Sequence, residues 1–113
     1  MIRTAGKLSK FSKKETSDLF KQARAVVRGQ YFTLLVAPKT EKFGRILLVV
    51  PRRVGTAPER NKLKRQLRSI FYEEKLFEHE YDCIIIFKKA ATGLSFDKLK
   101  PLVLEAFTKL NES

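Results

Sequence analysis

Cysteine, histidine and acid are scarce in this chain. Among its 113 residues there is one Cys, one His and no Trp, and 12 acidic residues stand against 24 basic ones. A lone Cys83 excludes an internal disulfide and a Cys-only metal site. One His and one distant Cys supply no zinc constellation. Cys83 lies in an apolar run and reads as a buried structural thiol. His79 sits between Glu78 and Glu80 and reads as a solvated loop histidine rather than a general base. The sequence has neither a Walker-type glycine loop nor a nucleophile elbow. The acids at 73–74 and 78–82 look like helix-end and loop charges, so no acid/base pair stands out. No apolar run approaches the roughly 20 residues of a spanning helix. The first 15 residues, MIRTAGKLSKFSKKE, are basic and lack the continuous apolar segment of a signal peptide. The expectation is a cytoplasmic protein with no membrane association.

What is present is positive charge and enough apolar content for one core. The length fits a single domain over residues 1–113, and 43% hydrophobic content can build its interior. A net charge of +12 calls for a polyanionic partner, nucleic acid first and a membrane surface second.

Ser12 with Glu15 forms a capping box, predicting a helix to about residue 24 with Leu19, Phe20 and Ala23 on its apolar face. Residues 30–37 and 45–50 read as strands joined by a polar turn, which predicts a hairpin. Thr56 and Glu59 form a second capping box, with Pro58 in the first turn of a helix running to about residue 75. Residues 81–87 are apolar on both faces and read as a strand covered on both sides. Ser95 caps a last amphipathic helix, in which Pro101 either marks the start or separates a first turn. Helices against one mostly antiparallel sheet make a two-layer α+β domain.

The segment 51–68, PRRVGTAPERNKLKRQLR, carries seven cations and one acid. At about 100° per residue, Arg60, Lys64 and Arg68 fall within about 80° of arc, and Asn61 and Arg65 extend the stripe to about 140°. Leu63, Leu67, Ile70 and Phe71 form the neighbouring apolar stripe. One face can pack on a core while the next presents cations. Arg suits bidentate phosphate contacts, and Asn61 suits a base edge, a 2′-hydroxyl or a water. Solubility alone does not require a 17-residue stretch nearly free of acid. Phe11, Phe20, Tyr31 and Phe32 precede this segment. Each is a core candidate, and an aromatic on a sheet face beside a basic helix also suits single-stranded nucleic acid.

The run Arg60-Asn61-Lys62-Leu63-Lys64-Arg65, with Arg68, resembles the Arg-Asn-Arg signature of the bacterial ribonuclease P protein subunit. Arg52-Arg53 after a strand, an aliphatic strand ending in Lys88-Lys89 and an amphipathic last helix extend the resemblance over essentially the whole chain. Lys62 stands at the signature's second Arg, Thr16 where an aromatic is usual four residues before Phe20, and Leu35 where an aromatic is common. The resemblance implies an α/β sandwich of order α-β-β-β-α-β-α with a left-handed βαβ crossover, shared with a ribosomal-protein domain. It implies that the partners are the catalytic RNA of ribonuclease P and precursor tRNA, with no obligate protein partner. That RNA holds the Mg²⁺ ions and cuts the 5′ leader; protein residues bind no cofactor and do no catalysis. RNA binding falls to Arg52, Arg53, Arg60, Asn61, Lys62, Lys64, Arg65 and Arg68. A cleft for the single-stranded leader falls to Phe11, Phe20, Tyr31, Phe32, Leu35, Lys88 and Lys89.

A ribosomal or other structural RNA-binding protein fits the composition equally well. A DNA-binding regulator using residues 59–72 ranks lower, because a strand rather than a helix and tight turn precedes them. An enzyme in its own right has no acid/base pair to support it.

Overall fold

A computed structural model describes residues 10–111. The order is α1 (Lys13–Gln22), β1 (Arg24–Arg28), β2 (Phe32–Pro38), β3 (Ile46–Val49), α2 (Ala57–Glu73), β4 (Tyr81–Phe87) and α3 (Phe96–Asn111), the α-β-β-β-α-β-α order expected. Short 3₁₀ turns follow β3 (Arg52–Val54), α2 (Leu76–Glu78) and β4 (Lys89–Gly93).

Both capping boxes form. The Ser12 hydroxyl accepts the Glu15 N–H at 3.1 Å, and the Glu15 carboxylate takes the Ser12 N–H at 2.9 Å. Thr56 and Glu59 repeat the exchange at the start of α2. Each box satisfies two backbone donors that a helix start would otherwise orphan. Glu74 caps α2, and Lys75, in the left-handed region at φ 55°, turns the chain away. Pro101 lies inside α3, which runs unbroken from Phe96. Pro51 ends the second expected strand and starts the Arg52–Val54 turn.

The sheet order is β1-β2-β4-β3. The expected hairpin between residues 30–37 and 45–50 does not form. β2 pairs antiparallel with β1 and with β4, and β3 pairs parallel with β4. The reason is burial: β4 is apolar on both faces and takes the centre, where Cys83, Ile84 and Ile85 are fully buried. A β3–α2–β4 crossover then places the basic helix across the sheet. Residue 24, expected at the end of the first helix, begins β1 instead, a short edge strand with a bulge between Ala25 and Val27.

One sheet face packs on α2 and α3. Leu63, Leu67, Ile70 and Phe71, the predicted stripe, meet Leu34, Val36, Cys83 and Ile85 there, with Val103, Phe107 and Leu110 of α3. Burying each such side chain contributes roughly 1.5–3 kcal/mol. Cys83 is inside, and burial pushes its thiol pKa up. His79 is half-buried rather than solvated, its ring 5.5 Å from that of Phe107. Among the described residues, the opposite face carries α1, whose Leu19 packs on Ala37 and Ile84 near one end, with Phe11 beside them.

Candidate nucleic-acid interface

Register defines the part of the sheet that α1 leaves open. Thr33, Ile86 and Val49 are paired across β2, β4 and β3, and Leu35, Ile84 and Leu47 form the adjoining row. Paired residues point to the same side. Thr33, Leu35, Leu47, Val49 and Ile86 are all half-buried, giving a mostly aliphatic floor. Phe20 on α1 is 45% exposed, a large aromatic with little protein around it.

Cations collect where this floor ends. The antiparallel and parallel pairings bring the end of β1, the start of β2 and the ends of β3 and β4 to one edge. Arg28, Arg52, Arg53, Lys88 and Lys89 lie there, all exposed. Lys88 Nζ donates to the Gly29 carbonyl at 2.6 Å, tying the β1–β2 turn to the end of β4. The Arg52–Val54 turn packs on the Lys89–Gly93 turn, and both pack on α2. On α2, Asn61, Lys62, Arg65 and Arg68 are exposed, while Arg60 and Lys64 are half-buried. Arg60 Nε donates to the Gly55 carbonyl at 3.2 Å, so this cation is also an anchor for the loop that enters α2. Glu59, the one acid of the segment, is occupied by the Thr56 cap, which holds its carboxyl below the ordinary value.

Two cleft assignments do not fit. Phe32 is 4% exposed and lies on the α2–α3 side, edge-on to Phe87. Tyr31 packs against the same core and lines a pocket of about 240 Å³ against Leu102 and Ala106 of α3. Both are separated from Leu35 by the sheet itself. Leu35 does face the open side, and Phe11 sits beyond it under the Arg45 guanidinium, 4.2 Å from the ring centre.

Arg45 is the residue that sequence reasoning overlooked. It is 6% exposed and holds α1 to the sheet. Its Nη1 donates to the Lys10 carbonyl at 3.0 Å, and its Nη2 reaches Thr40 Oγ1 at 3.1 Å and Glu15 Oε2 at 3.0 Å. Asp82 accepts the Arg45 backbone N–H at 2.9 Å, while its second oxygen is 3.7 Å from Nη2. Burial raises the Asp82 pKa, and the bonds from Arg45 offset only part of that. Hydrogen bonds from Ser12 and Arg45 lower that of Glu15. An acid inside the apolar run 81–87 was the available signal, because a buried carboxylate needs a cationic or hydrogen-bonding partner.

Among the described residues no group of three His, Cys, Asp or Glu side chains could hold a metal ion, and no helix is long and apolar enough to cross a membrane. The arrangement offers cations, one amide and an open apolar floor, which is binding chemistry.

The sequence model of the family described as Ribonuclease P matches residues 7–111. The chain belongs to that family. It is 35% identical over 92 residues to the ribonuclease P protein component of Bacillus velezensis, covering 80% of this chain and 78% of that one. With the component of Halalkalibacterium halodurans it shares 30% identity over 87 residues, covering 76% and 73%. In fold it is similar to the ribonuclease P protein of Staphylococcus aureus, with a TM-score of 0.78 at 20% identity over 89% of this chain and 93% of that one.

Proposed function

We propose that this chain is the protein subunit of ribonuclease P and assists an RNA-catalysed, Mg²⁺-dependent removal of the 5′ leader from precursor tRNA. In this reading Arg60, Asn61, Lys64, Arg65 and Arg68 on α2, with Arg52 and Arg53, bind the catalytic RNA. The open sheet face, walled by α1, takes the single-stranded leader. Lys88, Lys89 and Arg28 at its edge hold phosphates between the two surfaces. The protein lowers phosphate repulsion, so less Mg²⁺ is needed; the metal chemistry belongs to the RNA.

The observation that carries this reading is the juxtaposition of an aliphatic floor, left open by the described residues, with five exposed cations at one edge of the sheet. Unpaired nucleotides need both parts, an apolar surface for bases and cations for the backbone. The test is reconstitution of the protein with a ribonuclease P RNA and precursor tRNA, with and without its leader. Wild type is expected to stimulate cleavage at low Mg²⁺, and the Arg60→Ala, Lys64→Ala, Arg68→Ala triple variant to lose that stimulation. Because Arg60 also holds Gly55, the variant's folding is checked by circular dichroism. A folded triple variant that stimulates as well as wild type refutes the reading.

A further inference from the structure

α1 rests on the sheet through one buried side chain. Leu19 is the buried residue of this helix and packs on Ala37 and Ile84. A single contact of that kind leaves a helix free to roll and tilt about it. The second attachment is Glu15, whose Oε2 lies 3.0 Å from Arg45 Nη2. Glu15 is four residues before Leu19, about 40° from it round the helix and about 6 Å along the axis. Two contacts so placed on one face fix both the roll and the tilt of α1. Phe20 stands about 100° from Leu19 and 140° from Glu15, so any roll swings its ring relative to the floor of Leu35, Val49 and Ile86.

Arg45 holds this arrangement from inside. It is 6% exposed and lies just before β3. Its guanidinium takes in the segment before α1 through the Lys10 carbonyl and the Phe11 ring, and the loop after β2 through Thr40. Asp82 ties it to β4. Arg45 Nε is buried and finds no acceptor among the described residues. Buried charge clusters often add little net stability over apolar packing, whereas a planar fork of donors defines a geometry.

We infer that Arg45 is a positioning residue for leader binding: through Glu15 it sets the roll of α1, and so where Phe20 stands relative to the aliphatic floor. Arg45 itself touches no RNA. The inference rests on the proposed function, in which the leader lies on the open sheet face.

The test compares wild type, Glu15→Gln, Arg45→Lys and Phe20→Ala, each reconstituted with ribonuclease P RNA, on precursor tRNA and on leaderless tRNA. A carboxamide has one acceptor oxygen, so Glu15→Gln can serve Ser12 or Arg45 but not both, and Asp82 stays paired. Arg45→Lys keeps a cation beside Asp82, but one ammonium cannot span Lys10, Glu15 and Thr40. Both variants should bind precursor tRNA roughly 3- to 10-fold more weakly, a part of what one stacked base supplies. KM should rise by the same factor, with kcat and the affinity for leaderless tRNA unchanged. A merely structural role does not give that split. The sequence has no Trp, so Phe20→Trp supplies a single fluorophore. Adding Glu15→Gln to it should alter its quenching by acrylamide, and unchanged quenching contradicts a roll of α1. Should Arg45→Lys fail to fold, Glu15→Gln decides alone. If Phe20→Ala loses affinity for the leader while Glu15→Gln keeps it, the inference is wrong and the leader reading stands. An equal loss for both tRNAs also overturns it. If wild type binds the two tRNAs equally, the leader reading falls and takes the inference with it.

Discussion

Glu15 divides its two carboxylate oxygens between two tasks: Oε1 caps α1 on the Ser12 N–H at 2.9 Å, and Oε2 receives Arg45 from the sheet side at 3.0 Å. The helix start and its attachment to the sheet thus share one side chain. Arg45→Met should remove that attachment and leave Asp82 buried without its cation, a loss of about 3–5 kcal/mol. Urea unfolding measures the loss. A variant within 1 kcal/mol of wild type on the order of experimental scatter would show that α1 is held by Leu19 alone.

The same cluster sets a pH dependence with two opposite signs. The Glu15 carboxyl is held below its ordinary 4.5, so its contribution is present above 4.5 and is lost as pH falls through the lower folded value. The melting-temperature gap between wild type and Glu15→Gln should be widest above pH 4.5 and should narrow below it. Asp82 is raised above its ordinary 3.8, so its charge is a cost at neutral pH that is relieved on acidification. Wild type should therefore gain on Asp82→Asn as pH falls toward 3.8. Parallel trends for the two variants would contradict the assignment.

Phe20, at 45% exposure, contributes little to the core. Phe20→Ala should leave stability within about 0.5 kcal/mol of wild type. On the proposed function it should weaken binding of precursor tRNA by about 1–3 kcal/mol, the range for one stacked base. The leaderless tRNA serves as control and should bind both proteins equally. An equal loss for the two substrates would place Phe20 outside the leader path.

Gly44 sits where the chain enters β3, and its N–H donates to the Phe77 carbonyl at 2.7 Å. A methyl group there would overlap the Tyr81 carbonyl oxygen, a backbone atom that cannot swing aside. Gly44→Ala should cost about 1–3 kcal/mol through displacement of β3 from β4. Hydrogen exchange of the β3 amides reads this directly, and wild-type protection in the variant would exclude the close approach.

Local signals were legible in the sequence, and distant pairings were not. Both capping boxes and the apolar stripe of α2 lie within a few residues of one another, and the structure has them as expected. The strand at 81–87 was recognisable because nothing polar interrupts it after Asp82. The hairpin expectation failed because a polar turn between two apolar runs looks the same whether the strands pair or part. The partner that separates them, β4, is contributed from much further along the chain. Arg45 and Asp82 are 37 residues apart, beyond the reach of any periodicity. The Phe32 assignment failed on parity: Phe32 and Leu35 are three residues apart on one strand, so they cannot share a face. The basic stripe was readable from helical periodicity; Lys62 entered the RNA-binding set through the family signature, and the helix carries it about 200° round from Arg60.

The central place of β4 has a consequence for how the molecule is made. β2 and β3 share no ladder; each pairs with β4, which lies between them. During synthesis, the described elements that residues 10–50 can complete on their own are α1 and the β1–β2 pair, with the apolar β3 waiting unpaired. The floor and its rim of cations come into being together, only after residues 81–89 have left the ribosome. A nascent chain therefore offers RNA a basic but unshaped segment before it offers the finished surface, and early contacts would be set by charge alone.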